Sequence, residues 1–318
     1  MRLIDIYNLA VRKGIERDPR TKGEIKKDLK REASEFRKLK GVDRRAFDRE
    51  RLKNPYADTR ILYGDVNKDI KTAIVGVDME GAELVAADRL NERMADPIDL
   101  VIAHHPEGMA WASFYDVMRI QIAVLKKFGI PTEVGERLLK ERMGEVRRAV
   151  APANHARGVD IARLLDMPYM CIHTPADNHV TSYLQKIFDT KKPKKLSQAL
   201  SILKSIPEYA DGLKKNAGPR ILIGDPKKDA GKILVDMTGG TEGSKKVFGR
   251  LSQAGVGTIV AMHLSEDHFK HAKDEHLNVI IAGHIASDTL GLNLLLDEIE
   301  KKDKLNIIEC SGFVRVKR

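Results

Sequence analysis

One ten-residue segment appears twice in this chain. Residues 60–69 read RILYGDVNKD and residues 220–229 read RILIGDPKKD, identical at seven of ten positions. The text after each copy is also shared. An apolar run stops at Asp78 in one copy and at Asp236 in the other, and a helical stretch follows. A second apolar run reads DLVIAHH from Asp99 to His105, or GTIVAMH from Gly257 to His263. A third ends in His-x3-Asp: CIHTPAD with His173 and Asp177, then AGHIASD with His284 and Asp288. A 318-residue chain holds about two domains of ordinary size. The repeat therefore predicts two related α/β halves, each with a parallel sheet and right-handed crossovers.

The boundaries follow. Residues 1–54 form a basic helical arm, with helices expected at about 2–16, 22–40 and 43–53 and breaks at Pro19 and Gly41-Val42-Asp43. Residues 55–188 are the first repeat: strand 71–78, helix 81–94, then the strand into His104-His105. Residues 220–318 are the second: strand 231–237, helix 244–255, strand 258–263. From His105 to His173 is 68 positions, but from His263 to His284 only 21. A helical insertion at about 131–168 accounts for most of the excess. The Lys-rich stretch 189–219 is expected to be a linker holding one helix.

The net charge of +10 is unevenly placed. Residues 1–53 hold 18 Lys and Arg against 10 Asp and Glu, so the rest is near neutral. Such an arm could meet nucleic acid or an acidic partner. Its mixed signs and its three aromatics (Tyr7, Phe36 and Phe47) fit a solvated helical face better. Only two cysteines occur, Cys171 and Cys310, which fits a reducing cytoplasm, and Cys171 reads as a core thiol. No apolar run is long enough to cross a bilayer, and MRLIDIYNLAVRKG does not read as a secretory signal.

Chemistry concentrates where strands end, which is where open α/β sheets gather ligands. His104-His105-Pro106 closes one apolar strand, so two imidazoles can diverge toward two ions. His284 and Asp288 stand four apart as a strand turns into a helix, and His173 and Asp177 repeat the pattern. Singly, each has an ordinary explanation: a core histidine, or a carboxylate in a helix's first turn. Thr174-Pro175-Ala176-Asp177 in particular resembles a capping box. Together, three strand-end histidine sites point to a metal centre. Imidazole with carboxylate suits zinc, iron, nickel or manganese, and three His with two Asp fits two divalent ions. His268, His271 and His276 read as a solvated helix face, and MTGGTEGSKK (237–246) as a permissive turn.

The motifs IAHHP, IHTPAD and AGHIASD, in that order, resemble the Nif-three-like family of dinuclear-metal proteins, some labelled GTP cyclohydrolase I type 2 homologs. The resemblance covers about residues 60–310. It implies metal ligands at His104, His105, Asp177, His284 and Asp288, with His173, His263 and Glu266 as additional or outer groups. It implies two similar halves facing a shared metal cleft, and often a ring-shaped hexamer. Three departures stand out. Asp288 occupies the position of a family Glu. In AMHLSED, His263 takes the place of a Glu and Glu266-Asp267 that of a His-His pair. The basic arm and the insertion are not typical of the family.

The function these features imply is a dinuclear-metal-dependent hydrolase, cyclohydrolase- or phosphoesterase-like. It would act through metal-bound hydroxide on a small substrate, which the resemblance implies is nucleotide-like. The alternative is a non-enzymatic metal-binding or regulatory protein whose arm meets nucleic acid or an acidic partner.

Overall fold

The computed structural model describes residues 1–318. The first 58 residues form helices α1 (Leu3–Arg17), α2 (Lys22–Lys38) and α3 (Gly41–Ala46), then a 3-10 turn at Arg49–Leu52. The first half continues with β1 (Thr59–Tyr63), β2 (Thr72–Gly76), α4 (Gly81–Asn91) and β3 (Leu100–Ala103). Helices α5 (Gly108–Ala112), α6 (Ile120–Lys127), α7 (Thr132–Val150) and α8 (Arg157–Leu164) come before β4 (Tyr169–Ile172) and α9 (Thr174–Lys191). Helices α10 (Leu196–Lys204) and α11 (Pro207–Lys214) lead to the second half. That half runs β5 (Arg220–Ile223), β6 (Lys232–Asp236), α12 (Val247–Gln253), β7 (Val256–Ala261), α13 (Glu266–Asp274), β8 (Asn278–Ile281), α14 (His284–Glu300) and β9 (Asn306–Glu309).

The two sheets are ordered alike, β1-β4-β3-β2-β9 and β5-β8-β7-β6. In each, three strands in sequence are parallel and the first lies antiparallel on the edge, Thr59 opposite Ile172 and Arg220 opposite Ile281. β2 and β3 are buried at every residue, as expected of unbroken apolar runs covered on both faces. The extra strand β9 returns to the first sheet, pairing in parallel with β2 from Thr72/Asn306 to Val75/Glu309. No helix is long and apolar enough to cross a membrane.

The helices after the third strands hold the halves together. α9 leaves the first sheet, yet Val180, Leu184 and Phe188 pack with Ile233, Val235 and Val260 of the second. α14 leaves the second sheet, yet Leu292, Leu295, Leu296 and Ile299 join the core of the first. The two helices cross closely. A Cβ on Gly291 would stand 2.5 Å from the carbonyl oxygen of Ala176, so only glycine fits there.

The arm and the linker are more deeply built in than the sequence suggests. α1 contributes Leu3, Ile6, Leu9 and Ala10 to the first half's core. The expected third arm helix is split: a short helix begins at Gly41, and the 3-10 turn follows. The stretch expected to hold one helix holds two, and Leu196, Ala199, Leu203 and Tyr209 are buried in the second core. Apolar residues spaced three and four apart in LSQALSILK carry that amphipathic pattern; its lysines hide it.

Candidate metal centre

His104 and His105 leave β3, His173 leaves β4 and His284 leaves β8, all at carboxyl ends of strands. Asp177 lies in the first turn of α9, and Asp288 just past the first turn of α14. Because those helices cross, both carboxylates reach one point. Asp177 caps nothing, since the N-cap of α9 is His173 and no side chain caps there. Its carboxylate faces His104 instead, 3.5 Å from Nε2.

Asp288 is the hinge of the arrangement. Its Oδ1 lies 3.4 Å from His104 Nε2. Its Oδ2 lies 3.6 Å from His105 Nε2 and 3.5 Å from His284 Nε2. Two donor triads result, His104/Asp177/Asp288 and His105/His284/Asp288, each with its ligand atoms within 4.8 Å of one another. His173 completes a third, overlapping triad with His104 and His105.

The far sides of the rings decide which nitrogens stay free. His104 Nδ1–H donates to the Ile172 carbonyl oxygen at 3.1 Å. His105 Nδ1–H donates to Asp78 Oδ1 at 2.6 Å. His173 Nδ1–H donates to Asp58 Oδ2 at 2.9 Å, and Asp58 also accepts from the Thr174 hydroxyl. Each bond fixes the tautomer whose Nε2 carries a lone pair, an arrangement common around metal-bound histidines. His104 Nε2, Asp177 Oδ1 and both Asp288 oxygens are buried with no hydrogen-bond partner. Buried acceptors without partners are costly, and these four converge.

A cation would satisfy them. Two ligands each about 2.1 Å from a tetrahedral ion stand about 3.4 Å apart, matching the spacing here and exceeding that of a charge-assisted hydrogen bond. The electrostatics agree. Burial opposes charge on His104, but Asp288 and Asp177 outweigh it and push its pKa up to about 10. Burial likewise opposes charge on His105, and Asp288 and Asp78 push it up to about 9. Burial works against the Asp288 carboxylate too, yet His104 and His105 hold it well below the ordinary range. The pocket demands positive charge, whether protons or metal ions.

The centre opens into a cavity of about 640 Å³ lined by both halves. On the second half's wall, His263 has its ring 4.9 Å from that of His284 and its Nδ1 3.6 Å from Glu242. Glu242 also lies 3.4 Å from His268 and accepts from the Ser265 backbone N–H. Burial pushes Asp236, on the same wall, up to about 6. Glu266 is not part of the site: it is exposed on α13, 3.5 Å from Lys270. His268, expected on a solvated face, is buried, and its Nε2–H donates to the Gly243 carbonyl.

Sequence reasoning gathered five of the central groups and missed Asp58, Asp78 and Glu242 as partners. Asp78 had a signal, because it closes a strand. Asp58 had a fainter one: it stands two residues before RIL, where the second copy has Gly218. Glu242 lies in the glycine-rich turn after β6, a segment set aside as mere turn.

Two α/β halves enclosing a buried His/Asp cluster define the class of this protein, a candidate metal-binding α/β protein. Its fold is that of the NIF3 superfamily. A NIF3 superfamily protein from Sphaerobacter thermophilus superimposes with a TM-score of 0.70 at 23% identity, over 90% of this chain and 98% of that one. Lower similarity extends to reduced HcgD from Methanocaldococcus jannaschii (TM-score 0.46, 15% identity, 88% of this chain and 96% of that one). A Bacillus cereus protein related to NIF3 gives 0.42 at 12% identity, over 91% of this chain and 99% of that one. No protein-family model and no curated protein matches the sequence.

Proposed function

We propose that this chain is a divergent Nif-three-like protein that binds two divalent metal ions and hydrolyses a small molecule. One ion would be held by His104, Asp177 and Asp288, the other by His105, His284 and Asp288. The imidazole and carboxylate set suits zinc, iron, nickel or manganese. Such ions supply a water of lowered pKa and polarise a substrate oxygen. The remaining work falls to the chain. Asp78, Asp58 and the Ile172 carbonyl keep the three rings turned with Nε2 inward. The cavity walls confine the substrate beside them, and His263, paired with Glu242, places a second proton-carrying ring next to His284.

One observation carries this reading: four buried acceptor atoms without partners, on His104, Asp177 and Asp288, converge beside a cavity. The test is elemental analysis of Asp288→Asn against wild type, with chelator-sensitive turnover of a panel of cyclic amides and phosphoesters. Asp288→Asn should retain about a tenth or less of the metal, since both triads share that carboxylate. Full metal content in Asp288→Asn would sink the site assignment. Metal that depends on Asp288, with no turnover of any compound, would favour the metal-binding regulatory reading instead.

A further inference from the structure

The cavity lining extends beyond the metal triads to Glu107 and Trp111. α5 begins three residues after His105. Its N-cap residue, Glu107, does not use its side chain to cap the helix. The Glu107 carboxylate is half-buried in the cavity wall with neither a hydrogen bond nor an ion pair. The nearest cation, Arg157, is 3.6 Å from Glu80 instead. One turn on, Trp111 lines the same wall. One of its faces stacks on Phe114, with centroids 5.2 Å apart and planes at 14°, and the indole is only half-buried. Phe114 in turn backs onto Gly240 of the second half, so the shelf is anchored from both sides. The insertion closes this end with Asn154, His155 and Gly158.

Charge narrows what fits. The cavity is lined by seven carboxylates, no lysine and the single arginine Arg157, although the whole chain carries +10. Two of those carboxylates belong to the triads, Asp78 is engaged by His105 and Glu242 by His263 and His268. Glu80 faces Arg157, so Asp236 and Glu107 remain without a partner, and Glu107 is the one that stands four residues before Trp111. No cluster of basic side chains is present to clamp a phosphate.

We propose that the Glu107–Trp111 end binds a flat, nitrogen-rich cationic group of the substrate, an amidine or guanidine. A planar amidinium offers two parallel N–H donors to a carboxylate, and its face stacks on an indole. Within the hydrolase reading, on which the word substrate rests, this group anchors the molecule while another part reaches the metals. The insertion then has a role: with Asn154, His155 and Gly158 it closes the recognition end.

Trp111 is the only tryptophan, so its fluorescence reports on this end alone. The probes are benzamidine and benzoate, alike in shape and opposite in charge. They are titrated into the full-length protein before and after chelator treatment. Benzamidine should change the emission saturably in both preparations. Glu107→Gln, with an unchanged melting temperature, should weaken it by about tenfold or more. Benzoate should bind at least about tenfold more weakly than benzamidine. Equal binding of the two probes, or unchanged benzamidine affinity in Glu107→Gln, overturns the proposal. Neither result depends on turnover or bound metal, so the recognition end can fail while the metal centre stands, and the reverse.

Discussion

The strand ends of the two halves carry similar residues in different registers: Asp236 sits level with Gly76, and Asp78 stands where the second half has Thr238. In the first, Asp78 closes β2 and grips His105 at 2.6 Å, and His105 turns its free nitrogen to Asp288. In the second, Asp236 closes β6 and His263 follows β7, but no hydrogen bond joins them; His263 faces Glu242. His104 is answered by Met262, and Asp58 by Gly218. A histidine at a strand end is therefore not enough to make a ligand. His104 and His105 have what a ligand needs, an acceptor behind the ring that fixes it and a carboxylate in front with unpartnered oxygens. The first half supplies the backing acceptors, and the second half's helix supplies the carboxylate they share.

This contrast can be broken by parallel substitutions. Asp78→Asn should weaken metal affinity by about 10–100-fold, the usual result of removing an outer hydrogen-bond partner. Asp236→Asn, which removes the carboxylate that ends β6, should leave affinity unchanged. Competition with a chromophoric chelator measures both, and equal losses would mean that the halves share the work. A smaller effect is expected where the carboxylate-bearing helices cross. Gly291→Ala forces a methyl group toward the Ala176 carbonyl oxygen and should cost about 1–3 kcal/mol. Calorimetric melting reads that loss, and an unchanged melting temperature would show that the crossing can spread freely.

The smallest effect concerns pH. Burial raises the folded-state pKa of Asp236 to about 6, above the ordinary carboxylate value. Below that ordinary value the group is neutral in both states and costs nothing. As pH rises through about 6, the folded state must bear a buried charge and stability falls. Asp236→Asn should therefore be more stable than wild type at pH 8, by about 1–2 kcal/mol, with the gain vanishing near pH 4. Denaturant melts at the two pH values decide it, and a gain that persists at pH 4 would assign the effect to packing.

Much of this was legible in the sequence because parallel strands write themselves as apolar runs. The runs into Asp78, His105, His173 and His284 located both sheets and the five central donors. Less legible was anything set by crossing elements. Asp58 is distant in sequence from His173 and meets it only because β1 lies antiparallel to β4. His268 looked solvated because its neighbours on α13 are charged, while its own ring is covered by the turn at Gly243. Glu266 looked usable from its place in AMHLSED, but α13 turns it outward. The two helices of the Lys-rich connection were obscured by composition, since lysines on one face say little about the other.

The exchange of α9 and α14 between the two cores, with β9 returning to the first sheet, reaches beyond the metal centre. A chain assembled this way cannot be read as two beads on a string. Cut near residue 219, either piece would keep a sheet but lose the helix that covers it, and the first would also expose β2 as a bare edge. On the ribosome, the first sheet waits for residues 306–309 before its last strand can be laid. The two halves are thus each other's scaffold during synthesis, and the candidate ligands they share come into register only when the whole chain has closed.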